Sequence, residues 1–110
     1  MMEMRTSPDH FASPEARRAA AHLGSLIRDA RLARKITQAE LAVRAKTSPA
    51  TVMRVEKGSV ETGLGTVLML LQQLGLLKYI TEVTDPTTQA LLAEGRRKRV
   101  RRSTTTDLDF

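Results

Sequence analysis

Residues 37–58 read TQAELAVRAKTSPATVMRVEKG, and the fold turns on this stretch. Thr37-Gln38-Ala39-Glu40 is a capping box. The Thr hydroxyl accepts the free N–H of the third helical residue, and the Glu carboxylate reaches back to the N–H of the Thr. Leu41, Ala42 and Ala45 follow at helical spacing, so a short helix is predicted to end between Arg44 and Lys46. Ser48-Pro49 opens a second helix, because Ser caps the first turn and Pro, lacking an N–H, is tolerated at the first position. Val52, Val55 and Glu56 lie along one face of it. Gly58 is its predicted stop, since Gly enters the left-handed region without steric cost. Two helices this short, joined by a tight Lys46-Thr47 turn, cannot bury their faces alone. They need a helix on either side.

Both flanks read as helix. Ser13-Pro14-Glu15 repeats the Ser-Pro start and adds an acid at the positive end of the dipole. From Ala16 to Arg34 the composition is rich in Ala, Arg and Leu, and Leu23, Ile27, Ala30 and Arg34 mark one face. Gly24 weakens the middle and predicts a break near His22. Downstream, Leu64, Val67, Leu68, Leu71 and Leu74 form an apolar stripe closed by Gly75. Leu70, Leu76 and Leu77 lie off that stripe, and the surplus reads as a dimer surface. Leu76–Thr84 carries both helix-compatible and β-preferring side chains and is read as helix over a short strand. Asp85-Pro86 starts a further helix through Thr87–Glu94, with Gly95 as its end. The expected fold is therefore all-α, a compact bundle of about five short helices spanning 13–94. A flexible tail covers 1–12, and a basic, disordered tail covers 95–110.

Composition narrows the function. A chain of 110 residues allows one small domain plus tails. Its 18 Lys/Arg against 12 Asp/Glu give a net charge of +6, which favours a polyanionic partner. The absence of Cys excludes disulfides, Cys-ligated zinc and thiol catalysis. No apolar run approaches the ~18 residues that cross a membrane, and residues 1–10 lack an export-type apolar core, so a cytoplasmic location is expected. His10 stands in the tail and His22 on a helix, neither with a nucleophile or metal ligand at a recognisable spacing. Gly63-Leu64-Gly65 lacks the strand and the further Gly of a phosphate loop. No catalytic residue, metal or cofactor is expected.

The 37–58 stretch resembles the Xre/Cro/phage-repressor helix-turn-helix family, whose pattern opens Thr-Gln-x-Glu-Leu-Ala and closes Glu-x-Gly. The likeness extends over roughly Leu23–Leu76. Lys46 departs from it, standing where the family usually has Gly, and left-handed geometry there costs about 1 kcal/mol. The resemblance implies a recognition helix, Ser48–Glu56, whose N-terminal end enters a DNA major groove. It exposes Ser48, Pro49, Ala50, Thr51 and Arg54. Arg54 is the best base reader, because its fork matches O6 and N7 of guanine. Ala50 would touch a thymine methyl, and Ser48 and Thr51 base edges or phosphate. Gln38, Arg44 and Lys57 are expected on phosphates. Arg31 and Glu56 resemble the family's buried ion pair between the first helix and the recognition helix. The resemblance also implies a homodimer on a palindromic operator, with recognition helices ~34 Å apart.

A narrower resemblance lies in ETGLGTVLMLLQQLGLLKYITEVTDP, residues 61–86. It looks like the HipB-type antitoxins, autorepressors that bind a HipA-like serine/threonine kinase toxin. Residues 96–102, Arg-Arg-Lys-Arg-Val-Arg-Arg, hold six cations and no acid. They read either as a phosphate-binding run or as a solubilising tail. The terminal Asp-Leu-Asp-Phe alternates acids with apolar groups, and Leu108 and Phe110 are proposed as anchors in the toxin's cleft. Three alternatives stay open: a stand-alone regulator without a toxin, an interaction module with vestigial DNA binding, and RNA binding through the Arg-rich run. The last is disfavoured because only 3% of residues are aromatic.

Overall fold

The computed structural model describes residues 11–108, with side chains placed for residues 11–101. The described residues form six helices and no strand: α1 (Pro14–Ala33), α2 (Gln38–Arg44), α3 (Pro49–Glu56), α4 (Leu64–Gln73), α5 (Leu77–Thr81) and α6 (Pro86–Leu108). The chain divides between Lys78 and Tyr79 into two compact units.

In the first unit, side chains start three helices. Ser13 Oγ accepts from the Ala16 N–H at 3.0 Å. Thr37 and Glu40 close the capping box from both sides, at 2.8 and 3.0 Å. Ser48 Oγ accepts from the Thr51 N–H at 3.1 Å. The ends are equally regular. Ile36, Thr47, Ser59 and Leu76 donate their N–H back to Arg31, Ala42, Arg54 and Leu71. The residue before each donor is left-handed: Lys35 (φ 56°), Lys46 (59°), Gly58 (90°) and Gly75 (75°). Each of α1 to α4 therefore stops by the same device, which satisfies carbonyls left open at a helix C-terminus. Gly and Lys fill it in equal number.

The core holds Ile27, Leu41, Ala42, Ala45, Val52, Val55, Leu70, Leu71 and Leu74. α3 packs on both α1 and α2, and α4 packs on α2. Four expectations are corrected here. α1 does not break near His22, because Gly24 is buried at a helix crossing. A Cβ there would stand 2.3 Å from the Val55 carbonyl oxygen. Arg34 is exposed, and Arg31 takes the buried place one turn beyond Ile27. Leu70 does not belong to a dimer surface. It is fully buried, because α4 buries a face wider than one narrow stripe. Leu64, the predicted start of that stripe, is 72% exposed, since it sits in the first turn beyond the edge of the core. Leu76 is partly buried against the core and Leu77 is half-buried.

The 76–84 region, which spans the Lys78–Tyr79 division, is helical over Leu77–Thr81. Asp85 caps α6, its carboxylate accepting from the Thr87 N–H at 3.1 Å and from the Thr88 hydroxyl at 2.5 Å. These bonds, the Thr88 hydroxyl's first, hold its pKa below the ordinary Asp value. α6 does not end at Gly95, and the expected disordered tail is corrected to helix as far as Leu108. A single Gly inside a helix costs only about 1 kcal/mol, and Arg and Lys around it are good helix formers with no Pro among them. None of the side chains described in residues 79–101 is buried.

Of the N-terminal tail, residues 1–10 lie outside the described residues. Ala12 is buried and its carbonyl accepts from Arg17 Nη1 at 2.9 Å, so structure begins before Ser13. The Leu108 side chain and Phe110 also lie outside the described residues. No helix among the described residues is long and apolar enough to cross a membrane.

Candidate nucleic-acid interface

α3 is anchored by one side and offered by the other. Val52 and Val55 fill the core, and Glu56 is 8% exposed. A carboxylate buried this far needs donors, and three meet it. Arg31 Nε donates to Glu56 Oε2 at 2.7 Å and Arg31 Nη2 to Oε1 at 3.1 Å. Gln38 Nε2 donates to Oε1 at 3.0 Å. The remaining guanidinium nitrogen, Arg31 Nη1, donates to the Ile36 carbonyl at 2.9 Å. One network thus fastens α1, the α1–α2 loop, the first turn of α2 and the last turn of α3. Removing one partner of such a buried pair costs about 3–5 kcal/mol, because the other charge stays buried and unpaired.

The free side of α3 carries Ser48, Pro49, Ala50, Thr51, Arg54 and, just past its end, Lys57. All are exposed except half-buried Thr51. Three of them are linked at one-turn spacing. Ser48 Oγ lies 2.9 Å from Thr51 Oγ1, and Arg54 Nη2 donates to Thr51 Oγ1 at 3.1 Å. This ladder ties the Arg54 guanidinium to the helix through one of its nitrogens. Lower freedom of the free side chain leaves less entropy to lose on binding. Beside it runs a polar cleft lined by Thr47, Thr51, Arg54, Glu61, Thr62 and Thr66.

Arg44 is exposed at the end of α2, away from the buried network. Gln38 lies at the first position of α2, and its amide already serves Glu56. Three surface residues near α3 were not assigned to the site by the sequence reading. Met53 is 40% exposed on α3. Lys46 is exposed at the left-handed turn position. Arg17 lines a hollow with Arg54 and Lys57. Its signal is its spacing on α1: Arg17, Ala21 and Gly24 share a face, and that face crosses the end of α3.

The arrangement is two short helices joined by a tight turn, with the second locked from behind and polar in front. Residues 27–79 match the helix-turn-helix family model. Neither the curated proteins nor the solved structures gave a match to this chain. The helix-turn-helix is a DNA-binding module of transcription regulators, a family generally without enzymatic activity. The domain points to DNA binding and regulation of transcription for this chain.

Proposed function

We propose that the chain is a sequence-specific transcriptional repressor that binds a palindromic operator as a homodimer. The observation that carries this reading is the two-sided α3: Glu56 locked from behind, and Ser48, Thr51 and Arg54 linked in front. α3 enters the major groove by its N-terminal end. Arg54 reads a guanine edge, Ala50 meets a thymine methyl, and Ser48 and Pro49 approach the bases beside them. Gln38, Arg44 and Lys57 lie toward the phosphates. Apolar side chains left outside the core, Val43 at 78% and Leu64 at 72% exposure, give the first unit surface for a second copy.

The narrower reading is that this repressor is the antitoxin of a HipA-like kinase and represses its own operon. It rests on the resemblance of residues 61–86 to HipB-type antitoxins. Neutralisation would act by binding, with Leu108 and Phe110 as anchors.

Selection of bound duplexes from a random-sequence pool tests the first reading. Wild type should enrich a two-fold symmetric site with half-sites one helical turn apart. Arg54→Ala should lose about 1–3 kcal/mol on that site and relax discrimination at one base pair per half-site. Thr51→Val should relax it less, and Thr51→Ser should retain it. No enrichment would reject the repressor, and equal losses on all DNA would reject Arg54 as a base reader. Purification from the native host then separates the two regulators: a stoichiometric kinase marks the antitoxin, and its absence marks a stand-alone repressor.

A further inference from the structure

Residues 96–102 carry six of the 18 Lys/Arg and no acid, so twelve Lys/Arg face twelve Asp/Glu in the rest of the chain. The whole excess of positive charge therefore sits on two turns of α6, outside the helix-turn-helix segment 27–79. Arg96, Arg97, Lys98, Arg99 and Arg101 are all exposed. Arg97 Nη2 pairs with Glu94 at 2.7 Å, and no acid follows until Asp107.

This helix is costly as it stands. Arg96 and Arg99, Arg97 and Arg101, and Lys98 and Arg101 are three or four residues apart. Like charges at that spacing repel and weaken a helix. A ligand that brings negative charge relieves the repulsion.

The distribution of the cations selects the ligand. At 100° per residue, Arg96, Arg97 and Arg101 share one side with Ala93 and Val100, where the three guanidiniums flank a shallow apolar groove. Lys98 and Arg99 project from the opposite side. A flat anionic surface would be met by one charged side only. A helix in a membrane interface needs an apolar face opposite its cations, and here that face is cationic as well. Single-stranded nucleic acid would call for aromatic stacking platforms, and residues 96–102 have none. Duplex DNA fits: its major groove is about 12 Å wide, close to the diameter of a helix with side chains, and both of its walls are phosphate.

We propose that this part of α6 is a second DNA contact, one that grips the phosphates of duplex DNA without reading sequence. The proposal rests on the DNA-binding reading above but places the contact on different residues.

The test compares the full chain with a variant carrying R96Q, R97Q, K98Q, R99Q and R101Q, since Gln keeps the helix propensity of Arg and Lys. Binding to a mixed-sequence 30-bp duplex is measured from 50 to 200 mM salt. Each phosphate contact contributes about −0.9 to the log–log slope. The variant's slope should be shallower by about 3, so it loses about 60-fold less affinity over that range. The preference of wild type for its selected site over mixed sequence should persist in the variant. An unchanged slope overturns the proposal, as does a variant that keeps the duplex slope but loses binding to anionic phospholipid vesicles, which would assign the run to a membrane. Failure of the helix-turn-helix reading is distinct: it appears as wild type enriching no site from a random pool.

Discussion

A methyl group on Gly24 would stand 2.3 Å from the Val55 carbonyl oxygen and 2.8 Å from that of Glu56. Both neighbours are backbone, so neither side can yield without moving a helix. Gly58 is bound twice over: its φ is 90°, and a Cβ would come within 2.9 Å of the Ala21 Cα. Lys35 is the opposite case, a side chain held at φ 56° where nothing requires one. Two substitutions of Gly and non-Gly should therefore act with opposite signs. Gly24→Ala should destabilise by at least about 1–3 kcal/mol, the cost of overpacking. Lys35→Gly should stabilise by about 0.5–1 kcal/mol, because it removes left-handed strain at the helix end. Urea melts of the two variants and wild type check this. A neutral Gly24→Ala would mean that α1 and α3 do not cross so closely.

At the scale of the element, α2 is seven residues long and depends on its ends. The Thr37 N–H donates to the Glu40 carboxylate, and this bond is the main cause of a lowered Glu40 pKa. The Thr37 hydroxyl and the charge of Arg44 add to it. A carboxyl depressed in the folded state stabilises fully above its unfolded pKa, and that contribution is lost as pH falls through the folded one. Stability of the first unit should therefore drop as pH is lowered below the ordinary carboxylate range. Glu40→Gln should flatten that part of the profile. Thermal melts from pH 7 to pH 3, with NMR titration of Glu40, measure both. An unshifted Glu40 titration would reject the box. Caps of this kind were legible in the sequence because donor and acceptor are three residues apart. The Arg31–Glu56 pair was nameable only through a family likeness, since 25 residues separate its members. Gln38 as the third partner had no local signal at all. Gly24 was misread for a related reason. Local propensity counts a helical Gly as a weakness, whereas its use depends on Val55 and Glu56, 31 and 32 residues on. Leu70 escaped because a stripe drawn on one face leaves out a helix that buries more. At Gly95 a tolerated residue was read as a terminator.

At the scale of the whole molecule, the core and the exposed polar side of α3 lie on one side of the Lys78–Tyr79 division. Among the described residues, every buried hydrophobic one falls between Ala12 and Leu74. Beyond Lys78, Tyr79, Val83, Leu91 and Val100 are more than half exposed, at 57, 71, 67 and 64%. None of the side chains described in residues 79–101 is buried. Residues 1–78 should therefore fold alone. At low concentration their melting temperature should lie within about 4 °C of the full chain, the shift that follows from less than about 1 kcal/mol. A small core makes this demanding, since domains of this size bury only ~60% of their unfolded surface and have little stability in reserve. A deficit of 10 °C or more at every concentration would mean that α6 covers part of the core in solution. A deficit that grows with protein concentration, because only the full chain gains stability, would place a self-association surface in residues 79–110. The same truncated chain retains Arg54 and the Glu56 network. It should keep its base preference while losing the salt-sensitive contact assigned to α6, so folding, reading and gripping are separable along one chain.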